Sequence, residues 1–450
     1  MPTPATLIAL AAALQAGRTT SRAILEDGLA RIADPAGEGS RAFIALNADA
    51  VRAAADAADR TRAAGQAPTP FAGIPVAIKD LFDVAGERTR AGSRALDDRP
   101  PAAADAPVVA RLRAAGFIPF GRTNMTEFAY SGLGMNAHFG TPVNPHDRAT
   151  GRIPGGSTSG GAVAVADGMV PAALGTDTGG SCRIPAALCG ITGFKATAAR
   201  IPRAGAIPLS FTLDSIGPLA NSVSCCAILD SVLAGGAPEA PAPLALTGLK
   251  LALPKTYVFD GIDETVARAF EGALKKLSAA GASIVEVPFT ELAEIPVINA
   301  RGGLVNAEAY AWHRPILERA ADRYDPWVLA RFEVGKAMAA ADYIATITAR
   351  ADLIGRMNTL TAPYDAVILP TCVIVAPTIK AMQDREMSQR TNLLLLRNTA
   401  MGNFLDRCAV SLPCHAPGEA PVGLMVMGKT NGDRRLLATA MAIEAALKSA

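Results

Sequence analysis

Residues 151–198, GRIPGGSTSGGAVAVADGMVPAALGTDTGGSCRIPAALCGITGFKATA, constrain this chain more than any other stretch. Two serines lie in glycine-rich turns, Ser157 in GGSTSGG and Ser181 in DTGGSCR. A helix-like and a strand-like apolar piece separates them. Glycine serves where backbone must approach a neighbour closely or take a positive φ. Two such turns, each presenting a hydroxyl, look like one half of a nucleophile site. The other half is a base, and a lysine upstream is the leading candidate.

The surrounding pattern says what body carries these turns. IPVAI, residues 74–78, is continuously apolar and reads as a buried strand with Lys79 and Asp80 at its end. By position alone Lys79 reads as a surface residue whose stem snorkels. Residues 4–33 read as two helices broken around Gly17, the second capped by Thr20 or Ser21. A short strand over 42–46 and an alanine-rich helix over 48–64 follow. Asp105 is expected to cap a helix that runs to Ala115 and stops at Gly116. A strand over 117–121 leads to a further helix from Thr123. Residues 129–154 are rich in Gly, Asn and Pro. A loop of that length in a compact protein is usually functional, and its place before Ser157 points the same way.

Beyond it the pattern predicts a helix over 159–166, a strand over 170–175, a helix opening at Ser181 and a strand over 191–195. Strands over 249–254 and 283–289 flank a helix over 264–280. Residues 292–361 read as a helical cap or insertion over about 70 residues of the chain. A strand at 366–371, a helix at 392–404, two strands (AVSL and APVGLMVMG) and a helix at 434–448 complete the chain. Strand–helix alternation without repeats or low-complexity linkers predicts an α/β fold, one domain over 1–450, with a central twisted mixed sheet covered by helices on both faces.

Composition excludes several functions. Lys+Arg number 43 against Asp+Glu 41, a net charge of +2. That balance gives no long-range field to draw nucleic acid or an acidic surface, so the expected substrate is small and neutral or weakly charged. The seven cysteines, at 182, 189, 225, 226, 372, 408 and 414, are odd in number and form no CxxC. Neither a disulfide framework nor a zinc site is suggested, and reduced cytosolic thiols fit best. Cys182 beside Ser181 reads as a small buried hydrophobe. The apolar N-terminal run lacks the preceding basic residues of a signal peptide, and no run is long enough to span a bilayer. The expectation is a cytoplasmic protein without membrane or nucleic-acid partners, metal or cofactor.

Neither serine sits in a G-x-S-x-G elbow. The four histidines, at 138, 146, 313 and 415, fall in no motif that would orient one as base for a serine. Lysine can take that role when burial holds it neutral. GGSTSGG lacks the Lys-Ser/Thr of a phosphate loop. TDTGGS lets successive N–H groups converge on one point, as in an oxyanion hole, with a helix N-terminus adding to it if Ser181 opens a helix. An ordinary strand–turn–helix connection explains the same letters.

GIPVAIKD with Lys79, PGGSTSGG with Ser157 and LGTDTGGSCRIPAALCGITGFK with Ser181 resemble the amidase signature family, which includes fatty acid amide hydrolase and the A-type component of the tRNA-dependent glutamine amidotransferase. The two serines stand 24 residues apart, as in the family's gapless signature block. The resemblance extends through RTNMTEFA (122–129), LDSIGPLA (213–220) and AVSLPCHAPGEAPVGLMVMG, centres on about 70–220, and weakens over the helical segment. It implies a Ser-Ser-Lys triad: Ser181 as nucleophile, Ser157, commonly preceded by a cis peptide bond, as proton relay, and Lys79 as base. The N–H groups of Thr178, Gly179, Gly180 and Ser181 would bind the oxyanion, and Ala129 would contribute to the acyl pocket. The implied reaction is hydrolysis of a small carboxamide through an acyl-enzyme, without cofactor, by a chain that in relatives is commonly a homodimer.

Two departures bear on this. Thr158 replaces a serine often seen after the relay serine, and Ser159 adds a polar residue, so local hydrogen bonding is expected to differ. YSGLGMNAHFG (130–140) departs from the A-type amidotransferase components, which favours a free-standing amidase over an amidotransferase component. Because all three triad positions are kept, a non-catalytic amidase-like scaffold is disfavoured.

Overall fold

The computed structural model describes residues 5–449, so residue 4, with which the first predicted helical stretch begins, lies outside it. The described residues form one sheet of eleven strands. In chain order these are β1 (Phe43–Ala45), β2 (Pro75–Lys79), β3 (Ile118–Thr123), β4 (Ala172–Asp177), β5 (Thr192–Lys195), β6 (Ser215–Ala220), β7 (Lys250–Pro254), β8 (Ser283–Val287), β9 (Ala366–Pro370), β10 (Ala409–Pro413) and β11 (Gly423–Met427). Their order across the sheet is β1-β3-β2-β4-β6-β5-β10-β11-β9-β7-β8. The sheet is mixed. β3, β2 and β4 run parallel, as do β9, β7 and β8, while β4 through β11 pair antiparallel by way of β6, β5 and β10.

Every residue of β2, β4, β5 and β6 is buried. Strands covered on both faces need continuous apolar runs rather than alternation, and PVAI and AALG supply them. One covering helix, Ser159–Ala166, is buried along nearly its whole length. Its small residues allow this: a Cβ on Gly160 would stand 2.2 Å from Ala42 O. Residues 294–361 form helices, chiefly Glu294–Ile298, Gly303–Ala320, Pro326–Lys336 and Ala340–Thr361. They meet the rest of the fold through aromatic packing. Phe128 lies 4.4 Å from the His313 ring and 5.1 Å from that of Tyr324, and Tyr130 lies 5.1 Å from Phe332. No helix among the described residues is long and apolar enough to cross a membrane.

Three local expectations are corrected, and two elements were not foreseen. Asp105 does not cap its helix, which begins at Pro107 after Ala106 with no side-chain cap. Asp105 instead accepts from Ala85 N at 2.8 Å and pairs with Arg113. Thr123 ends β3 rather than opening a helix, and the following residues make one 3-10 turn, Glu127–Ala129, in which Phe128 and Ala129 take φ of 49° and 61°. The helix after the second serine turn starts at Arg183, so Ser181 sits in the turn before it. β6 and the helix Val223–Leu233 carry no clear sequence pattern. β6 contains SIGPLA, whose Gly and Pro argue against a central strand.

Close packing fixes the second serine turn against the sheet. A Cβ on Gly193 of β5 would lie 2.3 Å from Cys182 O, a backbone atom beside Ser181. Gly193→Ala is therefore expected to cost about 1–3 kcal/mol through overpacking and to displace the turn. Thermal denaturation should show a lowered midpoint together with reduced turnover.

Candidate active site

β2 and β4 lie side by side and parallel, so their C-terminal ends place Lys79 and Thr176 close together. Lys79 is fully buried, which overturns the surface reading of its position. Its amine donates to Ser157 Oγ at 2.8 Å and to Thr176 Oγ1 at 2.9 Å. Ser157 is also fully buried, and the Gly156–Ser157 peptide bond is cis. Burial disfavours the ammonium form and lowers the Lys79 pKa to about 8. Lys195 is a second wholly buried lysine, but it donates to the carbonyls of Ala196 and Arg407. Carbonyls can only accept, whereas the hydroxyls facing Lys79 can also give up a proton.

The second serine turn is anchored by a buried ion pair. Arg183 Nε and Nη2 meet the two Asp177 oxygens at 3.0 and 2.8 Å, and Asn403 donates to Asp177 Oδ1 at 2.9 Å. Cys182 N donates to Asp177 Oδ2 at 3.1 Å. Burial works against the Asp177 carboxylate, but Arg183, Lys195 and Asn403 together outweigh it and hold the pKa down at about 2. The residues between the paired ends are thereby held as a fixed loop. Gly180 takes φ +136°, and a Cβ there would stand 2.2 Å from Thr399 Oγ1, which itself donates to Gly179 O at 2.6 Å. The N–H groups of Gly179, Gly180 and Ser181 find no protein acceptor among the described residues. Thr178 Oγ1 donates to Asp214 at 2.5 Å. Burial raises the Asp214 pKa to about 6, against the hydrogen bonds it accepts from Thr178, Ser210 and Leu209.

The two turns meet through backbone, Thr158 N donating to Ser181 O at 3.3 Å. Ser159 opens its helix buried, with its hydroxyl unpartnered. A cavity of about 370 Å³ lies in front of Ser181, with Ala129, Thr178 and Gly179 in its wall. Lys79, Ser157 and Gly180 do not line it. The catalytic candidates thus divide into one residue facing the cavity and a buried pair outside its wall. Cys182 is fully buried, and burial pushes its thiol pKa up, so it is no competing nucleophile. His138 pairs with Glu127, His313 with Tyr324, and His415 with Val422; none bonds either serine.

Sequence reasoning did not single out Thr176, Asp214, Asn403 or the Asp177–Arg183 pair as parts of the site. The Asp and Arg lie inside the quoted TDTGGSCR, where opposite charges flanking a glycine turn were the available signal. Asn403 lies far along the chain and gave none.

A buried lysine with a pKa near 8 costs stability at neutral pH. Its folded value lies below the unfolded 10.5, so the cost is full below pH 8 and disappears as pH rises to 10.5. Lys79→Met is expected to raise stability at pH 7 by up to roughly 3 kcal/mol, less what Ser157 and Thr176 lose with their partner. Denaturant titration should show this gain shrinking between pH 8 and 10.5; a variant less stable than wild type throughout would refute it.

Comparison with known proteins gives the arrangement its context. The Amidase family profile matches residues 23–437. The 2-amino-5-chloromuconic acid deaminase of Comamonas testosteroni is 36% identical over 400 residues, 88% of this chain and 86% of that protein. The A-type component of the glutamyl-tRNA(Gln) amidotransferase of Cupriavidus necator is 35% identical over 489 residues, 97% of this chain and 95% of that one. A crystal structure of an amidase superposes with a TM-score of 0.88 at 32% identity, covering 98% of this chain and 99% of that one. The family match spans both serine turns, the buried lysine and the cavity, and the chain is a hydrolase that belongs to the amidase signature family.

Proposed function

We propose that this protein hydrolyses the C–N bond of a small-molecule carboxamide through an acyl-enzyme on Ser181. The observation that carries the reading is the 2.8 Å hydrogen bond between the buried Lys79 amine and Ser157 Oγ, next to the turn that presents Ser181 to the cavity. In the first step neutral Lys79 takes the Ser157 proton while Ser157 takes that of Ser181. Ser181 Oγ bonds to the carbonyl carbon, and the developing O⁻ meets the N–H groups of Thr178, Gly179, Gly180 and Ser181. The proton returns by the same relay to the leaving nitrogen, the C–N bond breaks, and ammonia or an amine departs. Water then attacks the ester, with Lys79 and Ser157 again moving the proton, and releases the carboxylate. Ala129 shapes the acyl side of the cavity. On this reading no cofactor takes part and the amide is the small-molecule partner.

Fixed donors and a buried base favour this chemistry. The Asp177–Arg183 pair holds the turn before substrate arrives, so donor orientation costs nothing during reaction. A second reading is supported by the A-type amidotransferase component that matches 97% of this chain: a glutaminase passing ammonia to a partner protein. Co-purification of a second polypeptide, with activity dependent on it, would favour that reading.

Ser181→Ala should lower kcat on any accepted amide by roughly 10⁴-fold or more, measured by ammonia release. Normal turnover in that variant would sink the assignment. Because the neutral amine is the base, wild-type kcat/KM should rise with pH through about 8. Lys79→Ala should cost roughly 10²–10⁴-fold and lose that limb. An unchanged profile would remove lysine from the mechanism.

A further inference from the structure

The wall of the catalytic cavity contains one charged side chain, Arg331, and no carboxylate. Arg331 lies on the helix Pro326–Lys336. Its guanidinium donates to the Tyr130 carbonyl and lies 5.9 Å from the centre of the Tyr130 ring. No acidic side chain among the described residues pairs with it. The acidic group whose field it feels, Asp325, caps the same helix by accepting from Trp327 N at 2.7 Å; Arg331 shares a neighbouring cavity with it, but Asp325 does not line this one. Arg331 is half-buried, and the fully buried guanidiniums are better served. Arg122 and Arg183 each meet a carboxylate at 2.8 Å. Arg407, without one, donates to Asn358, Thr361 and the Gly428 carbonyl. Burial depresses the Arg331 pKa, as expected of a cation short of counter-charge, yet arginine stays protonated at neutral pH.

A guanidinium held in an apolar cavity without an anion is costly unless a ligand supplies one. Its planar fork matches a carboxylate with two parallel hydrogen bonds. The wall offers a second donor. Asn392 Oδ1 accepts from Gly132 N at 2.8 Å and Ser131 Oγ at 3.0 Å, which turns its amide nitrogen the other way. That nitrogen has no acceptor among the described residues. Leu209, Leu213 and Leu304 give the wall a large apolar share beside Asn299 and Asn306, and in such surroundings a charge pair is stronger than in water.

We propose that Arg331 is a specificity-determining residue that binds a substrate carboxylate, so that the preferred substrates are carboxamides bearing a second, ionised carboxyl group. This rests on the amidase reading above and narrows it. It sharpens the expectation of a small, neutral or weakly charged substrate, because net charge averages over the surface and does not report one half-buried cation.

The test compares straight-chain dicarboxylic acid monoamides of increasing length with the matching hydroxy-terminated amides, reading ammonia release. Wild type should prefer the acid at one chain length by roughly 30-fold or more in kcat/KM. Arg331→Met should erase that preference, its kcat/KM on the acids falling to that on the matching hydroxy-terminated amides. Arg331→Lys should keep part of it. Equal wild-type rates on the two series, or a preference that survives Arg331→Met, would overturn the proposal. If Arg331→Met does not fold, wild type decides alone: dicarboxylates should inhibit hydroxy-amide turnover competitively, and diols of equal length should not. Equal inhibition would overturn it. Failure of the amidase reading looks different, since neither series would then be hydrolysed.

Discussion

A fully buried lysine amine, held between Ser157 and Thr176, is the contact on which the rest of the structure depends. Burying that amine is unfavourable for the charged form and useful for a base. The fold sustains it by closing both faces of the sheet. β2 and β4 are buried at every residue, and the helix Ser159–Ala166 packs small residues against the strand ends. Loosening that layer would let water reach the amine and return its pKa toward that of an ordinary lysine.

The second requirement is a rigid turn in front of the base. Asp177 and Arg183 bracket it, and Asn403 ties both to a distant helix. A buried ion pair adds little stability compared with an apolar substitute, but losing one partner is severe because the other charge is stranded. Its service here is geometric. It fixes the backbone between its two ends, so Gly180 can sit at φ +136° against Thr399 and leave neighbouring N–H groups unspent. The helical segment closes the arrangement from the other side. Phe128 and Tyr130 pack into His313, Tyr324 and Phe332, so the turn that places Ala129 on the cavity is shared by sheet and cap. Glu308 of that cap accepts from Ser210 Oγ at 2.5 Å and from Thr212 N at 2.9 Å, steadying the loop that carries Asp214 to Thr178.

What was legible in the sequence follows from how local each constraint is. The glycine turns, the strand ending in Lys79 and the helix–strand alternation are written in neighbouring residues, and these formed where expected to within a few positions. The role of Lys79 was not local. By itself it reads as a surface lysine, and only the serine turns, far along the chain, change that. The Thr123 helix failed because β3 runs through to Thr123, pairing parallel with β2. Asp105 looks like a cap but is drawn to Ala85 and Arg113. β6 gives a weak signal because its Gly217 is demanded by close approach to Phe194 O, where a Cβ would stand 1.9 Å away; the same residue weakens a strand pattern. Arg331 carried no sequence signal, because its meaning lies in what does not surround it.

The central claim is that the Lys79 amine is held ready to lose its proton near neutral pH. Lysine-selective ¹³C and ¹⁵N labelling, with the Lys79→Met spectrum subtracted to assign the resonance, measures this directly. The Lys79 side chain should titrate with a midpoint at about 8. A resonance that stays protonated until pH reaches the ordinary 10.5 would contradict it.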